Sequence, residues 1–194
     1  MARNKEFDTT LVLRKATEIF GHYGYEGTSL QNLLEGLGIA RQSLYDTYGT
    51  KRELFILAIK HYLNEKSLAV VEYLERPGSK KEAIAQIFYA IAAVLKDEMR
   101  RNECFIICSA IDQIPHDPEI AAYFAKDKSL LEQAFYDALV RAKQQGELSD
   151  RHGDLLALSR YLYHARYSLT QVVKITSDPK VLDNVVAVIL STLD

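Results

Sequence analysis

The sequence predicts an all-α protein, and three observations carry that prediction. Apolar residues recur at three- and four-residue spacing along nearly the whole chain, no convincing alternation of apolar and polar residues marks a strand, and helix starts and stops are signposted by cap residues. About nine helices are expected. A chain of 194 residues that is 48% hydrophobic has ample material for a packed core. Charged residues make up 26% and nearly cancel to a net of -2, which excludes a histone-like polycation and an acidic tail. Any nucleic-acid contact therefore has to be local.

Taken in order, Asp8 or Thr9 caps an amphipathic run with Leu11, Leu13, Ala16, Ile19 and Phe20, expected to stop at the glycines of "GHYGYEG". Thr28-Ser-Leu-Gln31 has the form of a capping box opening a short helix, which Gly36 and Gly38 end. A second short helix starts near Ala40 and stops at Gly49. Thr50-Lys-Arg-Glu53 is a further capping box, from which a long helix reaches about Tyr73. Pro77 and Gly78 in "RPGS" read as the domain seam.

Ser79-Lys-Lys-Glu82 opens a helix with Ile84, Ile87, Phe88, Ile91, Leu95 and Met99 on one stripe. A short apolar helix around "CFIICSAID" follows. Asp117-Pro118 has the cap-then-proline order of a helix start, and that helix runs to Gly146. "SDRHGD" restarts the chain into a Tyr- and Leu-rich helix reaching about Ile175, and "SDPK" begins a last helix from Val181 to Leu193. The organisation expected is residues 1–50 as a small N-terminal domain and 51–194 as a larger helical one, with 51–75 as the linking helix.

One longer helix followed by two short ones across a tight Gly-containing turn is the arrangement of a three-helix helix-turn-helix domain. Phased at about 100° per residue, the second short helix puts Ala40, Leu44 and Thr47 on one face and Arg41, Gln42, Tyr45 and Asp46 on the other. Arg41 can donate twice to a guanine edge or pair with phosphate, Gln42 can meet adenine bidentately, and Tyr45 offers a hydroxyl. Ser43 is small enough for close approach. Thr28, Ser29 and Lys51 lie at helix starts, where backbone N–H groups favour an anion. Over the first 55 residues seven Lys/Arg balance seven Asp/Glu, so non-specific affinity should be modest and salt-sensitive.

The stretch "ATEIFGHYGYEGTSLQNLLEGLGIARQSLYDTYGTKRELF" resembles the N-terminal domain of the tetracycline-repressor (TetR) family: a helix ending in Phe before "GYEGTS", then "LGIARQSLY", then "KREL". The resemblance implies that Thr28, Ser29, Arg41, Gln42, Ser43, Tyr45 and Lys51 occupy positions that often contact DNA. Thr47 departs from the histidine or aromatic of many members, and Tyr48 from their phenylalanine, which makes Tyr48 a core residue in this reading. The resemblance also implies a homodimer on a palindromic operator, an intersubunit four-helix bundle from the last two helices, and a small-molecule pocket among the middle helices. By composition the pocket candidates are Phe88, Met99, Phe105, Cys108, Tyr123, Phe124, Tyr161 and His164, which would suit a hydrophobic or aromatic effector. The dimer has separate support. The last helix is apolar around much of its circumference, and the one before it carries Leu155, Leu162, Leu169 and Val173 beside three tyrosines, so both have more than one face to bury.

Other classes find less purchase. There is no Gly-rich phosphate loop, no H-E-x-x-H and no G-x-S-x-G, so no enzyme is expected. No Cys/His cluster suggests a metal or other cofactor. Cys104 and Cys108, four apart in one helix, supply no disulfide framework; Cys104, one turn after Arg100 and Arg101, is the candidate for an alternative redox- or electrophile-sensing reading. A helical module that binds protein rather than DNA is the other alternative. With no secretion signal and no membrane-length apolar run, a cytoplasmic location is expected.

Overall fold

The computed structural model describes residues 9–149 and 153–194, among which nine α-helices and no strand occur: α1 Thr9–Gly27, α2 Leu30–Leu37, α3 Arg41–Tyr48, α4 Lys51–Glu75, α5 Lys80–Lys96, α6 Arg101–Gln113, α7 Pro118–Gln144, α8 Leu155–Ile175 and α9 Pro179–Ser191. Asp8, a candidate cap, and residues 150–152 of "SDRHGD" lie outside the described residues.

Local chemistry accounts for most of the boundaries. Thr50 N–H donates to Glu53 Oε2 at 2.7 Å while Glu53 N–H donates to Thr50 Oγ1 at 3.3 Å, the reciprocal box expected for α4. The bond from Thr50 N–H is the main reason the Glu53 carboxyl sits below its usual range. Asp117 Oδ1 accepts from the N–H groups of Glu119 and Ile120 with Pro118 opening α7, and Asp178 caps α9 ahead of Pro179. At α5, Ser79 Oγ accepts from Glu82 N–H at 3.0 Å, but the orphan N–H groups of Lys80 and Lys81 go to Glu147 Oε2, each at 2.9 Å, from well along the chain.

Several expectations are corrected. The box at α2 is one residue later, built from Ser29 and Asn32 rather than Thr28 and Gln31, because Thr28 is buried and its hydroxyl donates to Gly24 O. Helix α1 continues through Gly21 and breaks at Gly24 (φ 74°, ψ 167°) before a last turn to Gly27. Gly38 alone ends α2, at φ 67° with its N–H on Leu34 O; Gly36 lies inside the helix, where an added Cβ would come within 2.6 Å of Ile19 Cδ1, so its job is close approach to α1. On α3 the inward face is Leu44 and Tyr48, with Ala40 and Thr47 exposed. Met99 falls beyond the end of α5 and is 85% exposed, because Asp97 ends the helix.

The chain forms two compact units, and none of the three boundaries between them falls at Pro77-Gly78. One comprises Met1–Leu63 with Asn102–Ile120, the other Asn64–Arg101 with Ala121–Asp194. Pro77 and Gly78 make the bend between α4 and α5 inside the second unit.

In the first unit α1 packs on α2. An aromatic cluster lies in its core, with Phe20 and Phe55 rings 4.8 Å apart edge to face and Tyr25 4.6 Å from Phe55. Leu33, Leu44, Leu54 and Ile59 are fully buried in the same unit. In the second unit α5, α8 and α9 pack mutually, burying Ile84, Phe88, Leu95, Leu162, Leu169, Leu182 and Val186. Lys96 to Asp183 at 2.5 Å and Lys81 to Asp194 at 2.8 Å tie α5 to the C-terminal segment.

Candidate nucleic-acid interface

Helix α3 gains its orientation from two residues. Leu44 (0% exposed) and Tyr48 (5%) anchor it inward, and helical geometry then turns Arg41, Gln42, Tyr45 and Asp46 to the solvent. The Arg41 guanidinium lies 5.7 Å from the centre of the Tyr45 ring, and Gln42 Nε2 donates to Asp46 Oδ1 at 2.7 Å. That bond explains an acid on the outward face: Asp46 holds the Gln42 amide, leaving the amide oxygen and the second N–H for a base edge. Ser43 is half-buried.

The helix starts divide. Ser29 is exposed, but its hydroxyl is engaged with Asn32; Thr28 is 1% exposed and presents no side chain outside. Lys51 is half-buried with Nζ 4.7 Å from the Tyr25 ring centre, a rest that pre-orders the ammonium at the first turn of α4. Tyr25 had no role in the sequence reading; nothing in a linear pattern pairs it with Lys51, 26 residues on.

Behind this surface Arg52 forks onto Asp117, Nε to Oδ2 at 2.8 Å and Nη2 to Oδ1 at 3.0 Å, with Nη2 also reaching Glu119 Oε2 at 3.2 Å. The Arg52 hydrogen bond holds the Asp117 carboxyl below its usual range against the opposing effect of burial. A lowered folded-state pKa means that the stabilisation is complete above the unfolded carboxylate range, near pH 4, and is lost as pH falls through the lowered value. Arg52→Gln should return the Asp117 pKa toward normal in a carboxyl NMR titration. The stability gap between wild type and variant at neutral pH should close on acidification. A gap that stays constant with pH would remove the ion pair from the account.

The expected pocket residues are distributed over both units. Phe88, Tyr123 and Phe124 belong to the second unit, Phe105 and Cys108 to the first, and Met99 is exposed. Tyr161 and His164 are on the outer face of α8, where with Ala165, Val181, Val185 and Val188 they line an open apolar groove of about 530 Å³. Val188 is 64% exposed, Leu156 44% and Tyr161 40%. Cys104 is half-exposed on α6 and Cys108 buried. Among the described residues no cluster of His, Cys, Asp or Glu could hold a metal ion, and no helix is long and apolar enough to cross a membrane.

A trihelical domain whose third helix is pinned from inside and presents Arg, Gln and Tyr outward, continued by larger helical packing, defines a helix-turn-helix DNA-binding regulator. Residues 12–58 match the bacterial regulatory proteins of the tetR family. Over its whole length the chain is 59% identical to an uncharacterized HTH-type transcriptional regulator, YezE, of Bacillus subtilis, covering 100% of both chains. It is also 29% identical over 161 residues to the HTH-type transcriptional repressor ComR of Escherichia coli, 82% of this chain and 76% of that one. In fold it matches the TetR family regulator CifR, a cysteine mutant solved with 26-bp double-strand operator DNA, with a TM-score of 0.82 and 24% identity over 99% of this chain and 100% of that one. The chain belongs to the TetR family of transcriptional regulators, a family of DNA-binding proteins and not of enzymes. Membership sets aside the reading as a protein-binding helical module.

Proposed function

We propose that the protein is a cytoplasmic homodimeric repressor that grips a palindromic operator with two copies of α3 and releases it when a small molecule binds the second unit. The outward set Arg41, Gln42 and Tyr45, with Leu44 and Tyr48 locked inward, is the observation that carries the reading. Two-fold symmetry would place the two α3 helices in successive major grooves about 34 Å apart. Lys51 then supplies a phosphate contact and Arg41 the base or phosphate contact of a planar donor. The relatives named as repressors support the direction of control.

Helix α4 runs unbroken from Lys51 to Glu75 and contributes to both units. A shift of its far half on effector binding would be carried to Lys51, changing the separation of the two readers. A coupling of about 1–3 kcal/mol is typical and lowers operator affinity roughly five- to 150-fold. The open α8/α9 groove is the face offered for dimerisation, as an exposed apolar surface on two adjacent helices is best explained by a second copy.

The test is fluorescence anisotropy with duplex DNA from the promoter region of the protein's own gene. Tyr45→Ala and Lys51→Ala should each weaken binding about tenfold, near 1.4 kcal/mol, while dimer mass and helical circular dichroism stay constant. Lys51→Ala should in addition reduce the slope of affinity against salt by about one ion. Unchanged affinity in both variants would overturn the assignment.

A further inference from the structure

The second unit contains a buried polar cluster that neither the DNA surface nor the α8/α9 groove uses. Asp127, 5% exposed on α7, accepts from four donors: the Ser67 hydroxyl on Oδ1, and on Oδ2 the Tyr163 hydroxyl at 3.2 Å, the Tyr167 hydroxyl at 2.5 Å and Arg166 Nη2 at 3.4 Å. A carboxylate offers about two lone-pair sites on each oxygen, so Oδ2, with three donors, is crowded, and Oδ1 has one. Arg166, 8% exposed, is in the opposite condition. Among the described residues only Nη2 bonds, to Asp127 and to the Tyr167 oxygen at 2.9 Å, and the buried Nε has no partner.

That imbalance has a chemical meaning. A buried N–H without an acceptor is costly, and a guanidinium cannot shed its charge to escape the cost. The single 3.4 Å contact to Asp127 falls short of the bidentate fork that would answer the charge, and three hydroxyls share the same carboxylate. Arg166 Nε is the donor the cluster leaves over. Its surroundings are aromatic: Arg166 lies 4.7 Å from the Tyr167 ring centre, which is 5.2 Å from Tyr163 and 6.2 Å from Phe124. Burial pushes the Tyr167 phenol well above its normal value, so it stays a protonated donor, and part of its surface remains open.

We propose that Arg166 is the anchor of the effector site, and that it takes the carboxylate of a small aromatic acid whose ring lies against Tyr167 and Phe124. This rests on the effector-release reading above. The cluster already pairs its one cation with the Asp127 carboxylate, so a monocarboxylate brings one further buried negative charge and a phosphate dianion would bring two. A quaternary ammonium has no acceptor to offer Arg166 Nε and would bring a second cation beside the guanidinium.

The full-length protein is titrated calorimetrically with benzoate, cinnamate and 3-phenylpropionate, with the matching primary amides, and with benzyltrimethylammonium; operator release is followed in parallel by anisotropy. At least one acid should bind about tenfold or more tightly than its amide, the expected margin of a charge-assisted bond over a neutral one, with the ammonium not binding. Arg166→Lys, which keeps the charge but loses the planar fork, should reduce acid binding about tenfold and leave operator affinity without acid unchanged. Acids binding no better than amides, preference for the ammonium, or full acid binding by Arg166→Lys would each overturn the site. The acid-against-amide comparison on the wild type stands even if the variant unfolds. If acids bind but the operator is retained, the release reading fails and the site stands; if only amides or the ammonium release the operator, release stands and the site fails.

Discussion

Val188→Glu should leave a folded monomer that no longer holds a full operator. Val188 is 64% exposed on α9 and lines the groove with Ala165 of α8 and Val181 and Val185 of its own helix. In an isolated chain a glutamate there stays in water, so helical content and thermal stability should change little. In a two-fold interface the same patch meets its own copy, and each substitution is counted twice. Two carboxylates would lose hydration against apolar surface with no cation supplied, a cost of several kcal/mol per buried ion. Losing the dimer turns two linked half-site contacts into one, which should weaken operator binding about a thousandfold or more, toward the affinity of non-specific complexes. Sedimentation velocity reads the mass and anisotropy reads the DNA. A dimer that persists at micromolar concentration in Val188→Glu would move the interface away from α8 and α9. Val188→Ala, which removes only two methyls and adds no charge, should remain dimeric.

That prediction also shows where the sequence was readable. The apolar excess on α9 and the second face of α8 were visible as composition, but which side of α8 turned inward was not. Leu162, Tyr163 and Arg166 take the interior, and Tyr161 and His164 are left on the open groove. Helix boundaries were legible wherever the signal was local: the Thr50–Glu53 box, Asp117-Pro118 and Asp178-Pro179 act within three residues. The cap at α2 slipped by one because Thr28 and Ser29 are both hydroxyl residues, followed three on by Gln31 and Asn32, and only packing decides which hydroxyl is buried. The inward face of α3 is only partly legible: phase turns Leu44 in and the family resemblance makes Tyr48 core, but Ala40 and Thr47, expected on the same face as Leu44, are exposed.

Contacts between distant parts of the chain left no local trace. Asp127 takes partners 36, 39, 40 and 60 residues away. Each member reads alone as an ordinary polar residue on an amphipathic helix, and the surplus donor on Arg166 exists only once all are assembled. Of the proposed DNA-reading surface the exposed residues of α3 are recoverable from phase alone, whereas the seat of Lys51 on Tyr25 and the fork of Arg52 on Asp117 need the fold.

The glycines of "GHYGYEG" make the same point with a large expected effect. They were read as a helix stop, yet Gly21 is inside α1, and a Cβ placed there would sit 1.8 Å from Asn102 O, 2.9 Å from Asn102 C and 3.2 Å from Ile106 N. All three atoms are backbone of α6, which no rotamer change can move aside. Gly21→Ala must therefore displace α6 from α1 within the first unit, and overpacking of this kind costs about 1–3 kcal/mol or more. For a chain of this size that is roughly 5 °C or more off the melting temperature, with operator affinity falling as α1 is pushed out of register with the helices it supports. Gly36→Ala is the informative comparison, since its Cβ meets the flexible tip of Ile19 at 2.6 Å and a side chain can yield. The melting temperature should fall clearly further for Gly21→Ala than for Gly36→Ala in the same scan. Equal and small losses in the two variants would mean that α1 and α6 do not approach to backbone contact, and that the first glycine of the stretch is only a weak point in a helix.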